Sequence, residues 1–248
     1  MVGTVQPGTE FGGYRIESVQ LRPEGASVLI AHDPREDREV ALHVASDPPG
    51  ALSTVRFLER AHRLGAVEHP HLLGVYDACT VEGHAVAVAQ APPGRRLDEL
   101  LGEGPIGAAP AIRIARQIAS AVDALEEAGA ESPPLIAERI WIDGAGDAHL
   151  DGLDAHLGPA PVPPAASSSA AIARLVEAMT PHAPATLETV LTRARDGAYL
   201  SAGQLAGDLG RVEREAAERR RRIAIAVAVL AALVAAAILL ALADVFNG

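Results

Sequence analysis

The sequence predicts an α+β fold with two lobes, followed by one C-terminal transmembrane helix. Three features of the 248 residues lead to this prediction. Strand patterns dominate residues 11–90 with one helical pattern among them, and helical patterns dominate the chain from residue 91. Residues 223–243 are then apolar without interruption. We expect the first lobe to be a five-stranded antiparallel sheet with one helix, and the second to be a truncated helical lobe.

Alternating apolar and polar residues predict five strands in the first lobe, because alternation places one face of each strand in a core. These strands cover residues 14–20, 27–33, 39–45, 72–79 and 84–90. Between the third and the fourth strand, apolar residues at helical spacing predict a helix over residues 52–64. A Pro-Pro-Gly sequence at residues 92–94 ends the lobe and predicts a hinge.

In the second lobe, a long helix is predicted over residues 110–128, with a proline near its start where the missing N–H is tolerated. A small hairpin follows, with strands at 135–142 and 148–150. Three further helices are predicted at 170–179, 186–196 and 201–211, and Ser201 is the expected N-cap of the last.

The domain boundaries follow from these elements. The segments are an N-terminal tail at 1–10, the first lobe at 11–90, the start of the helical lobe at 91–157, a Pro/Ala/Ser-rich linker at 158–169, remnant helices at 170–218, an arginine cluster at 219–222, the transmembrane helix at 223–243 and an extracytoplasmic tail at 244–248.

The apolar segment contains 21 residues, enough at 1.5 Å per residue to cross about 30 Å of hydrocarbon. By the positive-inside rule, the preceding cluster places the body in the cytoplasm, at the inner face of the cell membrane, as a single-pass protein. The cluster is also expected to contact lipid headgroups, and it consists of Arg219, Arg220, Arg221 and Arg222. Small residues recur every four positions along the helix and suggest a dimer contact, although the abundance of alanine explains them equally well; they are Ala224, Ala228, Ala232 and Ala236.

Composition excludes several classes of function. The chain has no lysine, so all 21 basic residues are arginine. Residues 1–218 carry 17 arginines against 31 acidic residues, a net charge of −14 that argues against binding of nucleic acid. The single cysteine, Cys79, rules out an internal disulfide. Two His/Asp-rich stretches, residues 62–71 and 147–156, are alternatives for a metal site; a turn between helix and strand explains the first equally, and the second lacks the spacing of a calcium-binding loop.

Three short sequence segments identify a protein family more specifically than the order of strands and helices does. "VLIAHDPREDREVALHV", "FLERAHRLGAVEHPHLLGVYDA" and "YLSAGQLAGDL" resemble phrases of the bacterial, actinobacterial-type, membrane-anchored serine/threonine protein kinases. The resemblance covers residues 11–155 and returns faintly at 186–210. It implies a protein-kinase-like two-lobe fold, and it assigns the positions at which a kinase carries its catalytic groups.

In the first lobe, the resemblance places other residues where a kinase binds phosphate. The three glycines of the loop that covers the ATP phosphates correspond to Leu21, Pro23 and Ala26. The strand lysine corresponds to His43, which is expected to be a packing residue. The glutamate that should pair with that lysine corresponds to Arg60.

The second lobe departs from the family pattern in the same way. The base aspartate corresponds to Pro134 and the metal-binding asparagine to Arg139. The Asp-Phe-Gly motif falls on the three residues that begin at Gly152. A one-residue deletion would instead make Asp151 the candidate metal ligand. The activation segment and the peptide-substrate platform of a kinase have no counterpart of sufficient length.

These replacements predict that the chain is not an enzyme but a catalytically inactive pseudokinase, with no catalytic residue, cofactor or bound metal. We expect it to act as a protein-binding scaffold or regulator with a cytoplasmic or membrane protein partner. An alternative is a nucleotide-sensing domain that binds ATP without transferring phosphate. A divergent active kinase would need a lysine that the chain lacks.

Overall fold

A six-stranded antiparallel sheet with one helix forms the first lobe of the computed structural model, which describes residues 5–21, 27–48, 50–153 and 167–247. At Leu21 and residues 234–247 only the backbone is described. The strands lie in the order β1-β2-β3-β4-β6-β5. They are β1 (Glu10–Phe11), β2 (Tyr14–Leu21), β3 (Ser27–Asp33), β4 (Arg38–Val44), β5 (Val75–Val81) and β6 (His84–Gln90).

The prediction of five strands was wrong by one short strand. β1 has two residues, paired with Arg15 and Tyr14 of β2, which is too short to show a period of two in the sequence. The predicted strand at 72–79 begins later, at Val75, because Leu73 instead donates its N–H to the carbonyl oxygen of Leu150 at 2.9 Å. That strand also ends two residues later than predicted, at Val81, and the boundaries of β2, β3, β4 and β6 differ from the prediction by one residue at most.

The two faces of the sheet bury different side chains. Branched residues of β4 and β6, among them Leu42 and Val88, pack with Phe11, Ile16 and Leu29 on one face. Alanines of β6, including Ala87, face the other side and pack with α1 (Leu52–Gly65). Small side chains on this face let the helix lie close to the sheet.

The second lobe is mainly helical. Its helices are α2 (Leu97–Glu103), α3 (Ala108–Glu127), α4 (Ser168–Met179), α5 (Ala185–Arg195) and α6 (Ala202–Asn247). A three-stranded antiparallel sheet joins it to the hinge and consists of β7 (Arg95–Arg96), β8 (Ile140–Ile142) and β9 (Ala148–Leu150). The predicted hairpin was wrong in its first strand, because Ala137–Arg139 form a 3₁₀ turn and β8 starts only after it.

The predicted linker at 158–169 lies largely outside the described residues. Its last two residues belong to α4 rather than to a linker, since the side chain of Ser167 caps that helix by accepting a hydrogen bond from the N–H of Ala170 at 3.1 Å. α3 runs through the centre of the lobe with nine buried side chains and packs against α4 and α6.

α6 is one continuous helix of 46 residues, where the sequence predicted two separate elements. The Ser201 cap is confirmed, because its Oγ accepts a hydrogen bond from the N–H of Gln204 at 3.3 Å. The predicted transmembrane span is helical, but residues 234–243 of it lie outside the described side chains. Among the residues that the structure describes, no helix combines the length and the apolar character needed to cross a membrane.

Candidate functional site

A three-residue segment, Asp151 to Leu153, lies where the two lobes meet. It follows β9 directly, and the N–H of Asp151 donates to the carbonyl oxygen of Arg139 at 2.8 Å. The Asp151 carboxylate accepts from the N–H of Leu153 through Oδ1 at 3.0 Å, which folds the segment into a tight turn. Asp151 is 3% exposed, so its carboxylate is buried within the fold.

Two arginines, one from each lobe, bind the carbonyl oxygens of this turn. Arg60 of α1 donates from Nε to the carbonyl oxygen of Gly152 at 3.3 Å. Arg139, at the end of the 3₁₀ turn, donates from Nη1 to the carbonyl oxygen of Leu153 at 2.9 Å. Arg60 also donates to the carbonyl oxygen of Glu131 at 3.4 Å, and its Nη1 lies 3.9 Å from the carboxylate of that residue. The guanidinium groups thus connect the first lobe, the turn and the loop before the 3₁₀ turn.

Gly152 is closely surrounded by apolar side chains at this position. A Cβ atom there would lie 3.1 Å from Cδ2 of Leu64 and 3.3 Å from Cδ1 of Leu72. Leu64 belongs to α1 and is buried, as is Leu72. The turn is therefore clamped between apolar side chains on one side and guanidinium groups on the other.

His43 lies in the middle of β4, paired in register with Val28 and Ala87. It is 4% exposed, so its side chain is buried. It lies on the same face of the strand as Ala45, which belongs to the core shared with α1. The ring is therefore built into the sheet beneath the helix.

The structure brings together four of the residues singled out in the sequence, namely Arg60, Arg139, Asp151 and Gly152. Pro134 lies apart in the loop before the 3₁₀ turn, where its carbonyl oxygen accepts from the N–H of Ile136 at 3.1 Å. Leu21 ends β2, and its side chain is not described. Pro23 and Ala26 lie outside the described residues.

Histidines and an aspartate beside the β8–β9 hairpin form a polar network that the sequence did not predict as one group. The rings of His69 and His71 are 5.6 Å apart, and those of His71 and His149 are 6.2 Å apart. His149 contacts the carboxylate of Asp143 at 3.2 Å. Backbone N–H groups, above all that of Asp147, and the His149 ring lower the pKa of Asp143. Over the described ranges, no group of three or more His, Cys, Asp or Glu side chains is arranged to hold a metal ion.

The sequence matches known bacterial kinases over part of their length, although no protein-family model matches the chain. Serine/threonine-protein kinase PknE of Mycobacterium tuberculosis is 30% identical over 155 residues, which are 60% of this chain and 27% of that protein. PknD of the same organism is 30% identical over 148 residues, which are 58% of this chain and 22% of that protein. The chain thus spans about a quarter of the length of the curated relatives it matches.

The fold matches a solved kinase domain over most of its length. The crystal structure of the Mycobacterium tuberculosis PknI kinase domain superimposes with a TM-score of 0.69 at 17% identity, covering 84% of this chain and 98% of that domain. The predicted resemblance to bacterial serine/threonine protein kinases and the predicted two-lobe fold are therefore confirmed.

The same comparisons correct one prediction. The replaced catalytic positions led us to expect a chain that is not an enzyme. That prediction is contradicted, because the relatives are named serine/threonine protein kinases and the structural neighbours are named kinase domains, which points to an enzyme.

Proposed function

Because this chain is a relative of bacterial serine/threonine protein kinases and has their two-lobe fold, we propose that it is a signalling domain that binds a protein partner through α1. The observation that carries the proposal is the hydrogen bond from Arg60 to the carbonyl oxygen of Gly152. In protein kinases, the position of the corresponding helix controls whether the site at the Asp-Phe-Gly segment is assembled. Here one side chain of α1 contacts the turn itself, so a protein that moves α1 also moves the turn.

The outer face of α1 offers a surface for such a partner. Leu52 and Val55 lie one turn apart at the start of the helix and are 64% and 43% exposed. Large apolar side chains that adjoin one another on a surface favour protein contacts. The opposite face of the same helix buries Phe57 and Leu64, so the helix joins the exposed patch to the core.

The proposal is tested by changing the patch without changing the fold. Leu52→Asp and Val55→Asp together add two carboxylates to the first turn of α1, where the helix dipole favours negative charge, so the domain should fold normally. Cross-linking in cells from a photoreactive residue at position 56 should yield a partner adduct with the native chain and none with the double variant. Leu200→Asp, at a 91% exposed leucine of the other lobe, is the matched control and should keep the adduct. An adduct of equal yield in all three chains would contradict the proposal.

A second function, phosphoryl transfer from ATP·Mg²⁺, is favoured by the names of the relatives. Asp151 supplies a buried carboxylate directly after β9, and carboxylates are ligands that Mg²⁺ prefers. In a chain without lysine, only arginine and histidine can supply cations near such a site, and arginine binds phosphate oxygens in a bidentate manner. Radiolabelled ATP with the native chain and with Asp151→Asn measures this activity directly.

We also propose that residues 223–243 hold the domain at the inner face of the membrane. Exposed large apolar side chains support this, since α6 presents Ile223, Ile225, Val227, Val229, Leu230 and Leu233 at 54–62% exposure. A helix that is apolar on all sides requires an apolar environment. Flotation on a density gradient should place the full chain with the vesicles and a chain ending at Arg222 at the bottom; equal flotation of both chains would contradict the anchor.

A further inference from the structure

A cavity of about 460 Å³ opens between α3 and α6, and its lining includes His71. Arg113 and Arg116, one turn apart on α3, line it together with Ala206 and Gly207 of α6. Its neutral lining includes Gln117 and Ser120, which offer further hydrogen-bonding groups. The cavity therefore combines two guanidinium groups with polar side chains at an open surface.

Next to Gly210 of α6, a third guanidinium group lies beside that of Arg116, which lines the cavity. A Cβ atom on Gly210 would lie 3.3 Å from Nε and 3.4 Å from Cζ of Arg116, and also 3.4 Å from Nη1 of Arg214. The missing side chain thus leaves space in which the guanidinium groups of α3 and α6 become neighbours. Like charges that adjoin one another repel, so an anion between them would be stabilised.

The carboxylates around the cavity offset only part of this positive charge. Glu213 contacts Nη1 of Arg116 at 2.6 Å. Asp147 accepts a hydrogen bond from Gln117, on the side of the hairpin. Nη2 of Arg113 donates to the carbonyl oxygens of Ala145 and Gly146, which orients its guanidinium group without neutralising it. A third carboxylate, that of Asp123, faces Gly203 between the same two helices, and Arg116 is the guanidinium group of the three that contacts a carboxylate directly.

We propose that this cavity is a binding site for a phosphate group, held by Arg113, Arg116 and Arg214. Guanidinium groups match phosphate oxygens in charge and in geometry, and two or three around one site are typical of phosphate recognition. The phosphate belongs either to a soluble phosphate compound or to the headgroup of an anionic lipid. α6 favours the second source by position, since Arg214 precedes the apolar segment at Ile223 by nine residues, about 14 Å along a helix.

The test measures binding by the full chain in neutral detergent micelles and in phosphatidylcholine nanodiscs. Inorganic phosphate is titrated in the first case, and nanodiscs with and without phosphatidylglycerol are compared in the second, by thermal unfolding. Arg116→Gln should weaken binding by about tenfold or more, because a charge-assisted contact is lost. Gly210→Ala should weaken it as well, since its methyl group would press on the guanidinium groups of Arg116 and Arg214 at 3.3–3.4 Å while all charges remain.

Two control variants show whether a loss of binding is specific to this cavity. Gly102→Ala introduces the same change in another helix, where a Cβ meets no atom within 4 Å, and should bind like the native chain. Arg63→Gln removes one exposed arginine from α1 and should also bind normally. If Arg116→Gln and Gly210→Ala bind inorganic phosphate more weakly than the native chain, the ligand is a soluble phosphate compound. If they bind only phosphatidylglycerol nanodiscs more weakly, the ligand is a lipid headgroup. Both results support the site. Equal binding by all variants, or no binding of either probe, would overturn it.

Discussion

Arg60 of α1 donates a hydrogen bond to the carbonyl oxygen of Gly152 at 3.3 Å, which connects a helix of the first lobe to the turn that follows β9 in the second. The side chain of Arg60 is only 16% exposed, so water competes weakly for this contact. The family resemblance assigns this position to a glutamate that pairs with a lysine. Here the side chain reaches the neighbouring turn instead, and contact between the lobes does not depend on a lysine.

Replacing Arg139 by alanine should destabilise the protein by about 2 kcal/mol, the loss expected when a buried carbonyl oxygen loses a charged donor. Arg139 is 9% exposed, and its Nη1 lies 2.9 Å from the carbonyl oxygen of Leu153. Urea unfolding of the native chain and the variant measures the difference. Arg174→Ala, an exposed arginine of α4, should change stability by less than about 0.5 kcal/mol. Equal midpoints for all three proteins would show that Arg139 does not stabilise the turn.

Gly152→Ala should destabilise by about 1–3 kcal/mol, because the new methyl group would press on Leu64 and Leu72 in a packed core. Gly102→Ala is the matched change in α2, where the added Cβ has open space. That variant should be neutral or slightly more stable, since alanine favours a helix over glycine. Thermal unfolding distinguishes the two, and an unchanged melting temperature for Gly152→Ala would mean that the turn can move away from α1.

Sequence patterns predicted most elements of the fold, because the alternation in β3, β4 and β6 and the helical spacing in α1 and α3 report burial directly. They missed β1, which is too short, and the continuity of α6 through residues 212–222, which carry no apolar periodicity. The replaced positions Arg60 and Arg139 were found by resemblance. Their contacts with the carbonyl oxygens of residues 152 and 153 depend on backbone orientation between distant segments, and no spacing in the sequence encodes that.

Stability should fall as the pH drops below about 6.5, the ordinary pKa of histidine. Burial, and then the neighbouring His71, lower the pKa of His69 in the folded state. The Nδ1 atom of His69 accepts from the N–H of His71 at 3.1 Å, so protonation there removes an acceptor. The unfolded chain takes up this proton first, and the contribution of His69 is therefore present above pH 6.5 and declines below it.

The pH effect is measured by urea unfolding at several pH values between about 5 and 8. His69→Gln has no titrating group at this position and should show a flatter dependence than the native chain. His62→Gln, an exposed histidine of α1, is the control and should retain the native slope. If the free energy of unfolding depends on pH in the same way for the native chain and for His69→Gln, other groups cause the pH dependence.

Under the proposal of phosphoryl transfer, Asp151→Asn should abolish that activity while preserving the fold. The amide oxygen of asparagine can still accept from the N–H of Leu153, but it lacks the charge that binds Mg²⁺. Labelled ATP measures transfer, and the melting temperature reports the fold. Asp98→Asn, in α2 at a distance from the turn, is the control for a lost carboxylate. Transfer that persists unchanged in Asp151→Asn would remove Asp151 from the chemistry.

Amide hydrogen exchange at Leu153 tests the central claim, that Arg60 holds the turn against the first lobe. The N–H of Leu153 is bonded to the Asp151 carboxylate, so its exchange reports opening of the turn. Arg60→Ala should speed this exchange by about tenfold, which corresponds to about 1.4 kcal/mol of lost stabilisation. Arg63→Ala, one turn away on the exposed side of α1, should leave the rate at Leu153 as in the native chain. An exchange rate at Leu153 that is the same in Arg60→Ala as in the native chain would contradict the account.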